Sequence, residues 1–162
     1  MFLKNKKFYS IVLLIVTLFS LVSCSSGSGG ADKDIDIHAL CQESMDTGFT
    51  ADMMQLSENK IPTLYPLLDM DKMAAVEINV ESSLAAADEM SVFKVNDKAD
   101  IKMVEDALTA RIDALIQSVL NYNPSQVERI ENAIRITKGN YVIFVISDDN
   151  DAVQKVIDSY FK

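Results

Sequence analysis

Histidine, cysteine and glycine-rich motifs are scarce in this chain of 162 residues. A serine or cysteine nucleophile needs a histidine or a strong substitute beside it, and the chain has one histidine, His38. Cys41 follows His38 by three residues, so the two side chains would share one face of a helix. The ordinary interpretation is a surface histidine and a buried cysteine; a catalytic dyad or a metal site is the alternative, although zinc usually takes three or four ligands. Phosphate loops, zinc knuckles and nucleotide signatures are missing too, so the sequence predicts no catalytic residue and no cofactor.

Basic residues are also few, and this excludes one class of partner. The chain has 15 lysines and arginines against 24 aspartates and glutamates, a formal charge of −9. All 24 acidic residues and 12 of the basic ones follow residue 23, which leaves −12 on residues 24–162. Nucleic-acid phosphates and anionic lipid head groups repel such a surface. We therefore expect no nucleic-acid partner, and we expect membrane contact to come from a lipid rather than from a basic surface.

The N-terminus has a distinctive pattern. Lysines within residues 4–7 precede an apolar run over residues 8–22, which is the layout of a secretory signal and is shorter than the ~20 residues that span a bilayer. The run ends in Leu21-Val22-Ser23-Cys24, the order of a bacterial lipobox, in which a small residue precedes the cysteine that receives a diacylglyceryl group. The pattern predicts a lipoprotein signal peptide over residues 1–23, cleavage before Cys24 and lipidation of Cys24. A plain signal peptide or an uncleaved anchor is the alternative.

A stretch rich in serine and glycine follows the predicted leader. Residues 24–34 are typical of a flexible tether, and residues 35–162 have the length of a single domain. Two acyl chains hold a protein on a membrane far more firmly than one chain does. We therefore expect the domain to be anchored by lipid at the extracytoplasmic face of the cell membrane. Once Cys24 is acylated, Cys41 has no partner for an intramolecular disulfide, and we expect its thiol to be buried.

The hydrophobic periodicity of residues 35–162 alternates between helical and strand spacing. It predicts the order ββαββα after an N-terminal helical segment. The fold class is therefore α+β, with an antiparallel sheet of about four strands and helices packed on one face. Residues 49–56 are apolar without a pattern, so we expect them to be irregular. The predicted helices span residues 35–45, 101–120, 124–132 and 150–161, and the predicted strands span residues 76–80, 89–95, 134–137 and 141–146.

Two groups of charged residues are candidate sites. Arg111 lies at the edge of the apolar stripe of the longest predicted helix. We expect it to form a structural ion pair with a carboxylate of the sheet, with Glu89 as the first candidate; an anion-binding site is the alternative. Asp148, Asp149 and Asp151 lie at the start of the last predicted helix. Aspartates there accept free backbone N–H groups and suit the helix dipole, and we expect Ser147-Asp148 to form the cap. Calcium coordination is the alternative.

Several phrases of the chain resemble a known family. They are Ala87–Phe93 (ADEMSVF), Ala107–Ile112 (ALTARI) and Lys138–Asp148 (KGNYVIFVISD), with Leu64-Tyr65 upstream. Together they resemble the bacterial domain-of-unknown-function family 4358 over residues 50–162. The resemblance implies a small exported lipoprotein of the Clostridia and their relatives, in agreement with the N-terminus. It supplies no activity and no catalytic or ligand residues.

These observations favour a non-catalytic, membrane-anchored binding or interaction module whose partner is an envelope protein or a small solute. One alternative is a hydrolase of envelope glycans, which would need two carboxylates ~5–9.5 Å apart across a cleft. Another is a structural accessory subunit of an envelope complex. A pocket with converging acids would favour the enzyme, and an apolar surface patch would favour a protein partner.

Overall fold

The computed structural model describes residues 33–83 and 85–162, which form an α+β fold. The predicted signal peptide, Cys24 and most of the predicted tether lie outside the described residues. Five antiparallel strands form one sheet in the order β1-β2-β3-β5-β4. The strands are β1 (Met53–Gln55), β2 (Met73–Glu81), β3 (Glu89–Val95), β4 (Ile134–Lys138) and β5 (Tyr141–Ile146), and the α-helices are α1 (Ile37–Gly48), α2 (Ile61–Leu64), α3 (Ile101–Val119), α4 (Ser125–Glu131) and α5 (Asn150–Tyr160).

Strands β3 and β5 lie in the centre of the sheet. All six residues of β5 are buried, as its unbroken apolar sequence predicts for a strand covered on both sides. β5 pairs with β3 on one side and with β4 on the other. β4 and β5 are joined through a tight turn in which Gly139 has a φ of 62°, a conformation that glycine adopts without steric cost.

Helices cover both faces of the sheet, so the prediction of a single covered face is wrong. On the first face, α3 packs against a cluster that includes Ile78, Phe93 and Phe144. On the second face, α1 and α5 pack against a cluster that includes Val92 and Ile143. The physical reason lies in the central strands: six of the seven residues of β3 and all six of β5 are buried. Since neighbouring side chains of a strand point to opposite faces, both faces need a helical cover.

A fifth strand lies at the edge of the sheet, where the sequence predicts irregular structure. β1 has three residues and pairs with Asn79–Glu81 of β2. Three residues are too few to show an alternating pattern, so periodicity cannot reveal this strand. Its formation depends on the neighbouring strand, which supplies the backbone hydrogen bonds.

The two ends of the described domain lie side by side. The carboxylate of Asp34 accepts hydrogen bonds from Lys94 Nζ at 2.7 Å and from the Tyr141 hydroxyl at 3.0 Å. The backbone carbonyl of Lys162 accepts a hydrogen bond from Lys33 Nζ at 3.3 Å. The segment that enters α1 is therefore bound to β3 and β5 and lies beside the last residue of the chain. Within the described residues, no helix combines the length and the hydropathy of a membrane span.

Candidate functional site

A buried charged network lies on the first face, where β3 begins. Glu89 is fully buried, and its Oε2 lies 3.0 Å from Nε and 2.9 Å from Nη2 of Arg111 on α3. Its Oε1 accepts hydrogen bonds from the hydroxyls of Tyr65 and Ser91. The structure thus brings together Arg111 and Glu89, the two residues that the sequence suggests as an ion pair, and adds two hydroxyl donors.

Little of this network is accessible to solvent. The Arg111 side chain is 14% exposed, and its guanidinium lies 5.9 Å from the centroid of the buried Tyr65 ring. Burial and the charge of Glu89 raise the pKa of Tyr65 well above its ordinary value, so its hydroxyl stays protonated and donates to the carboxylate. An anionic ligand would have to displace Glu89 from Arg111. The geometry therefore favours a structural ion pair over the alternative anion site.

A second arginine, Arg129 of α4, lies between two carboxylates at the ends of the central strands. Its guanidinium binds Asp88 at 2.7 and 3.1 Å and Asp148 at 3.1 Å. The side-chain hydrogen bonds to Asp88 raise the pKa of Arg129. Thr50 donates to Asp148 from its hydroxyl at 2.6 Å and from its backbone N–H at 2.9 Å. These bonds, with the charge of Arg129, lower the pKa of Asp148.

A polar cleft of about 400 Å3 opens beside Arg129 and Asp148. The side chain of Asp148 is 40% exposed, whereas Asp88 is 4% exposed. Both carboxylates contact the same nitrogen, Nη2 of Arg129. Asp148 lines the cleft together with Arg129 and Glu128, whereas the buried Asp88 binds the same arginine but is not part of the lining.

The three aspartates near the start of α5 have different roles. Asp148 bridges to Arg129, as described above. Asp149 has a non-helical backbone (φ −131°, ψ 82°), and its side chain accepts the N–H of Ala152 at 2.9 Å. It is therefore the N-cap, one residue after the predicted cap Ser147-Asp148. Asp151 lies exposed in the first turn. Among the described residues, no group of three histidine, cysteine, aspartate or glutamate side chains is placed to hold a metal ion.

His38 and Cys41 both lie next to a buried carboxylate on the second face. Nδ1 of His38 is 3.1 and 3.2 Å from the two oxygens of Glu77, and the amide of Asn79 donates to the same carboxylate at 3.2 Å. His38 is 64% exposed and Cys41 is fully buried. Burial, followed by the charge of Glu77, raises the pKa of the Cys41 thiol far above its ordinary range. The nucleophilic form of cysteine is the thiolate, so this buried thiol is chemically inert in the folded chain.

The sequence does not reveal Glu77 as a partner of this pair. In the predicted strand over residues 76–80, alternation assigns Glu77 and Asn79 to a solvated face. In the structure α1 covers that face, and the two side chains are 5% and 2% exposed. The available signal is that Glu77 and Asn79, two residues apart in one strand, lie on the same face, where the amide can donate to the carboxylate.

On its β1 side, β2 is paired with another strand along only part of its length. β1 pairs with Asn79–Glu81, the N–H of Leu56 donates to the carbonyl of Ile78 at 2.8 Å, and a 3₁₀ helix then begins at Glu58. On the other side, Met73 and residues 75–77 of β2 pair with β3, and the register shifts between Met73 and Ala75. No strand in the described part of the chain pairs with Met73–Glu77 on the β1 side. We call this stretch the open edge; it leaves backbone donors and acceptors without strand partners.

A groove of about 500 Å3 lies along the open edge. Its lining includes the apolar side chains of Ile61, Met73 and Val76, and two acidic residues, Glu58 and Asp71, but no basic residue. Within residues 33–83 and 85–162, neither carboxylate forms an ion pair. The groove thus combines apolar side chains, a backbone without strand partners and negative charge, and more of its exposed surface is polar than apolar.

Comparison with known proteins identifies a family. A family model described as a domain of unknown function, DUF4358, matches residues 45–147. The match includes all five strands and leaves most of α1 and all of α5 outside. No curated protein and no solved structure matches the chain. Because the family model covers more than half of the chain, the chain belongs to DUF4358, the family that its sequence resembles.

Proposed function

We propose that this chain is a lipid-anchored module on the extracytoplasmic face of the cell membrane that binds a partner and is not an enzyme. The observation that carries the proposal is the open edge beside the groove, where backbone and apolar side chains stay accessible in a sheet covered on both faces. Lipidation of Cys24 would attach the domain to the membrane. Its acidic surface would keep the folded part away from anionic head groups.

The chemistry of the described residues favours binding over catalysis. The Cys41 thiol is buried and protonated, and Glu89 is held in a closed ion pair. The hydrolase alternative would use Asp88 and Asp148 beside the polar cleft. It needs one carboxyl group whose pKa is raised so that it can protonate a leaving group. The pKa of Asp148 is instead lowered, and the buried Asp88 is held by two contacts to one guanidinium.

Metabolic labelling with an alkyne-bearing fatty acid tests the anchor. We expect the wild-type chain to be labelled, Cys24→Ala to lose the label and Cys41→Ala to keep it, because the lipobox pattern surrounds Cys24 alone. Mass spectrometry of the detergent-extracted chain should find Cys24 as the first residue. A chain that still begins at Met1 with an unmodified Cys24 would overturn the anchor.

Site-specific photocrosslinking in intact cells tests partner binding. A photoreactive residue at Ala74, which is exposed on the open edge, should give a dominant adduct with one neighbour. The matched control places the same residue at Asp113, which is exposed on α3. Equal adducts from the two positions would favour a structural subunit that is surrounded on all sides. A lack of adducts at Ala74 would contradict the binding proposal.

A further inference from the structure

We infer that the open edge of β2 binds an extended segment of another protein as an added strand; this inference rests on the proposed function and specifies its partner. The carbonyl of Ile78 and the N–H of Ser82 both form hydrogen bonds to the β1 side of the sheet, at 2.8 Å each. Backbone groups of an antiparallel strand point to the same side at every second residue. Val76 therefore directs its N–H and C=O to this side, beyond the point where β1 ends.

The groove fits an extended segment better than a compact ligand. An added strand would lie ~4.8 Å from β2, and every second side chain would point to the first face. There it would meet the apolar side chains of Ile61, Met73 and Val76. Main-chain bonds would then give affinity, and the groove would select side chains.

Charge complementarity indicates the composition of the segment. Glu58 and Asp71 line the groove without ion-pair partners among the described residues, and no lining residue is basic. A bound segment with lysine or arginine next to its apolar residues would compensate both carboxylates. A second copy of this chain would bring together two acidic edges from chains of formal charge −9. The occupant is therefore an apolar and basic segment of a different protein.

Selection from a random-peptide library displayed on phage tests this inference. The target is the chain as detergent extracts it from cells, whether or not Cys24 carries lipid. We expect the selected peptides to alternate apolar residues with lysine or arginine. Selected peptides that are acidic, that lack alternation, or that compete poorly with one another for the chain would overturn the inference.

Charge-reversal variants then locate the site. Binding of a selected peptide should weaken about 5-fold to 10-fold in the double variant Glu58→Lys with Asp71→Lys, because two exposed ion pairs are lost. Asp113→Lys, the same reversal on α3, should leave binding unchanged. If the peptide binds the double variant and Asp113→Lys with equal affinity, the inference is overturned. Dimerisation of the chain through the open edge that excludes the peptide would also overturn it.

Methylated peptides distinguish strand addition from simple contact with the groove. N-methylation of every second amide should abolish binding in one register and have little effect in the other, because only one set of amides faces β2. Equal effects in both registers would overturn strand addition.

If the peptides fail but Cys24 labelling and the crosslink at Ala74 succeed, only the inference fails. If labelling fails while the peptides bind, the membrane anchor fails and the inference stands.

Discussion

Glu89 shows how one buried charge joins three parts of the fold. Its partners come from α3 (Arg111), from the residue after α2 (Tyr65) and from β3 itself (Ser91). The sequence indicates the arginine because a cation at the edge of an apolar stripe needs a counter-charge. It gives no sign of Tyr65 or Ser91, because a tyrosine after a single helical turn and a serine in a strand follow no periodic pattern.

Replacing Arg111 with methionine should lower the free energy of unfolding by about 3–5 kcal/mol, because the fully buried Glu89 would lose its cation. Urea denaturation followed by circular dichroism measures the change. The double variant Arg111→Met with Glu89→Met should recover much of the loss, since no unpaired charge remains. Arg135→Met, at an exposed position of β4, is the control and should cost about 0.5 kcal/mol or less. An unchanged unfolding midpoint for Arg111→Met would contradict the structural role.

At the scale of elements, the sequence predicts best the two central strands, which are buried on both faces. The predicted strands 89–95 and 141–146 have the bounds of β3 and β5. Prediction is poorer at the margins. β1 is too short for a pattern, and the second face of β2 has polar residues, Glu77 and Asn79, that are buried only because α1 covers them. The formation of β1 and the burial of Glu77 and Asn79 both depend on tertiary contacts, which the hydrophobic periodicity of a short stretch does not encode.

The connection between β2 and β3 depends on the ionised side chain of Glu81. Its carboxylate accepts hydrogen bonds from the backbone N–H groups of Ser83 and Ala85, at 3.0 and 2.9 Å, and from the Ser83 hydroxyl at 2.9 Å. These bonds, led by those from Ser83, lower the pKa of Glu81 to about 2 from an ordinary 4.5. The folded state therefore holds the Glu81 proton less tightly than the unfolded state does.

The stability that Glu81 contributes should be fully present above pH 4.5 and lost as the pH falls through about 2. The melting temperature of Glu81→Gln should therefore be lower than that of the wild-type chain at neutral pH, and the two should converge as the pH approaches 2. Thermal melts over this pH range check the expectation. Asp113→Asn, at an exposed position of α3, is the control and should follow the wild type throughout. A constant difference between Glu81→Gln and wild type at all pH values would contradict the linkage.

At the scale of the whole molecule, the described residues form a sheet between two helical layers, and each layer has its own core. Cys41 belongs to the core of the second face. Since the thiol is fully buried, a reagent can reach it only when α1 separates from the sheet or the domain unfolds. The reactivity of this residue therefore reports on the opening of the second core.

In a Cys24→Ser background, the Cys41 thiol should react with a disulfide reagent only at the rate of unfolding or of separation of α1. The rate should rise steeply as urea approaches the unfolding midpoint. Stopped-flow absorbance measures it. His38→Cys in the same background is the control, because position 38 lies on the same helix and its native side chain is 64% exposed. One thiol of that variant should react at once. Immediate reaction of Cys41 itself in the native chain would contradict the buried position.

The hydrogen bond between Lys33 and Lys162 brings the entrance and the exit of the domain together. A chain whose ends meet in this way suits circular permutation, because a short linker can join them while new termini open in a surface turn such as the one at Gly139. For the same reason the domain could be inserted as a cassette into a loop of a host protein. The host would need to spread its loop by about the reach of the Lys33 side chain, through which the two ends are in contact.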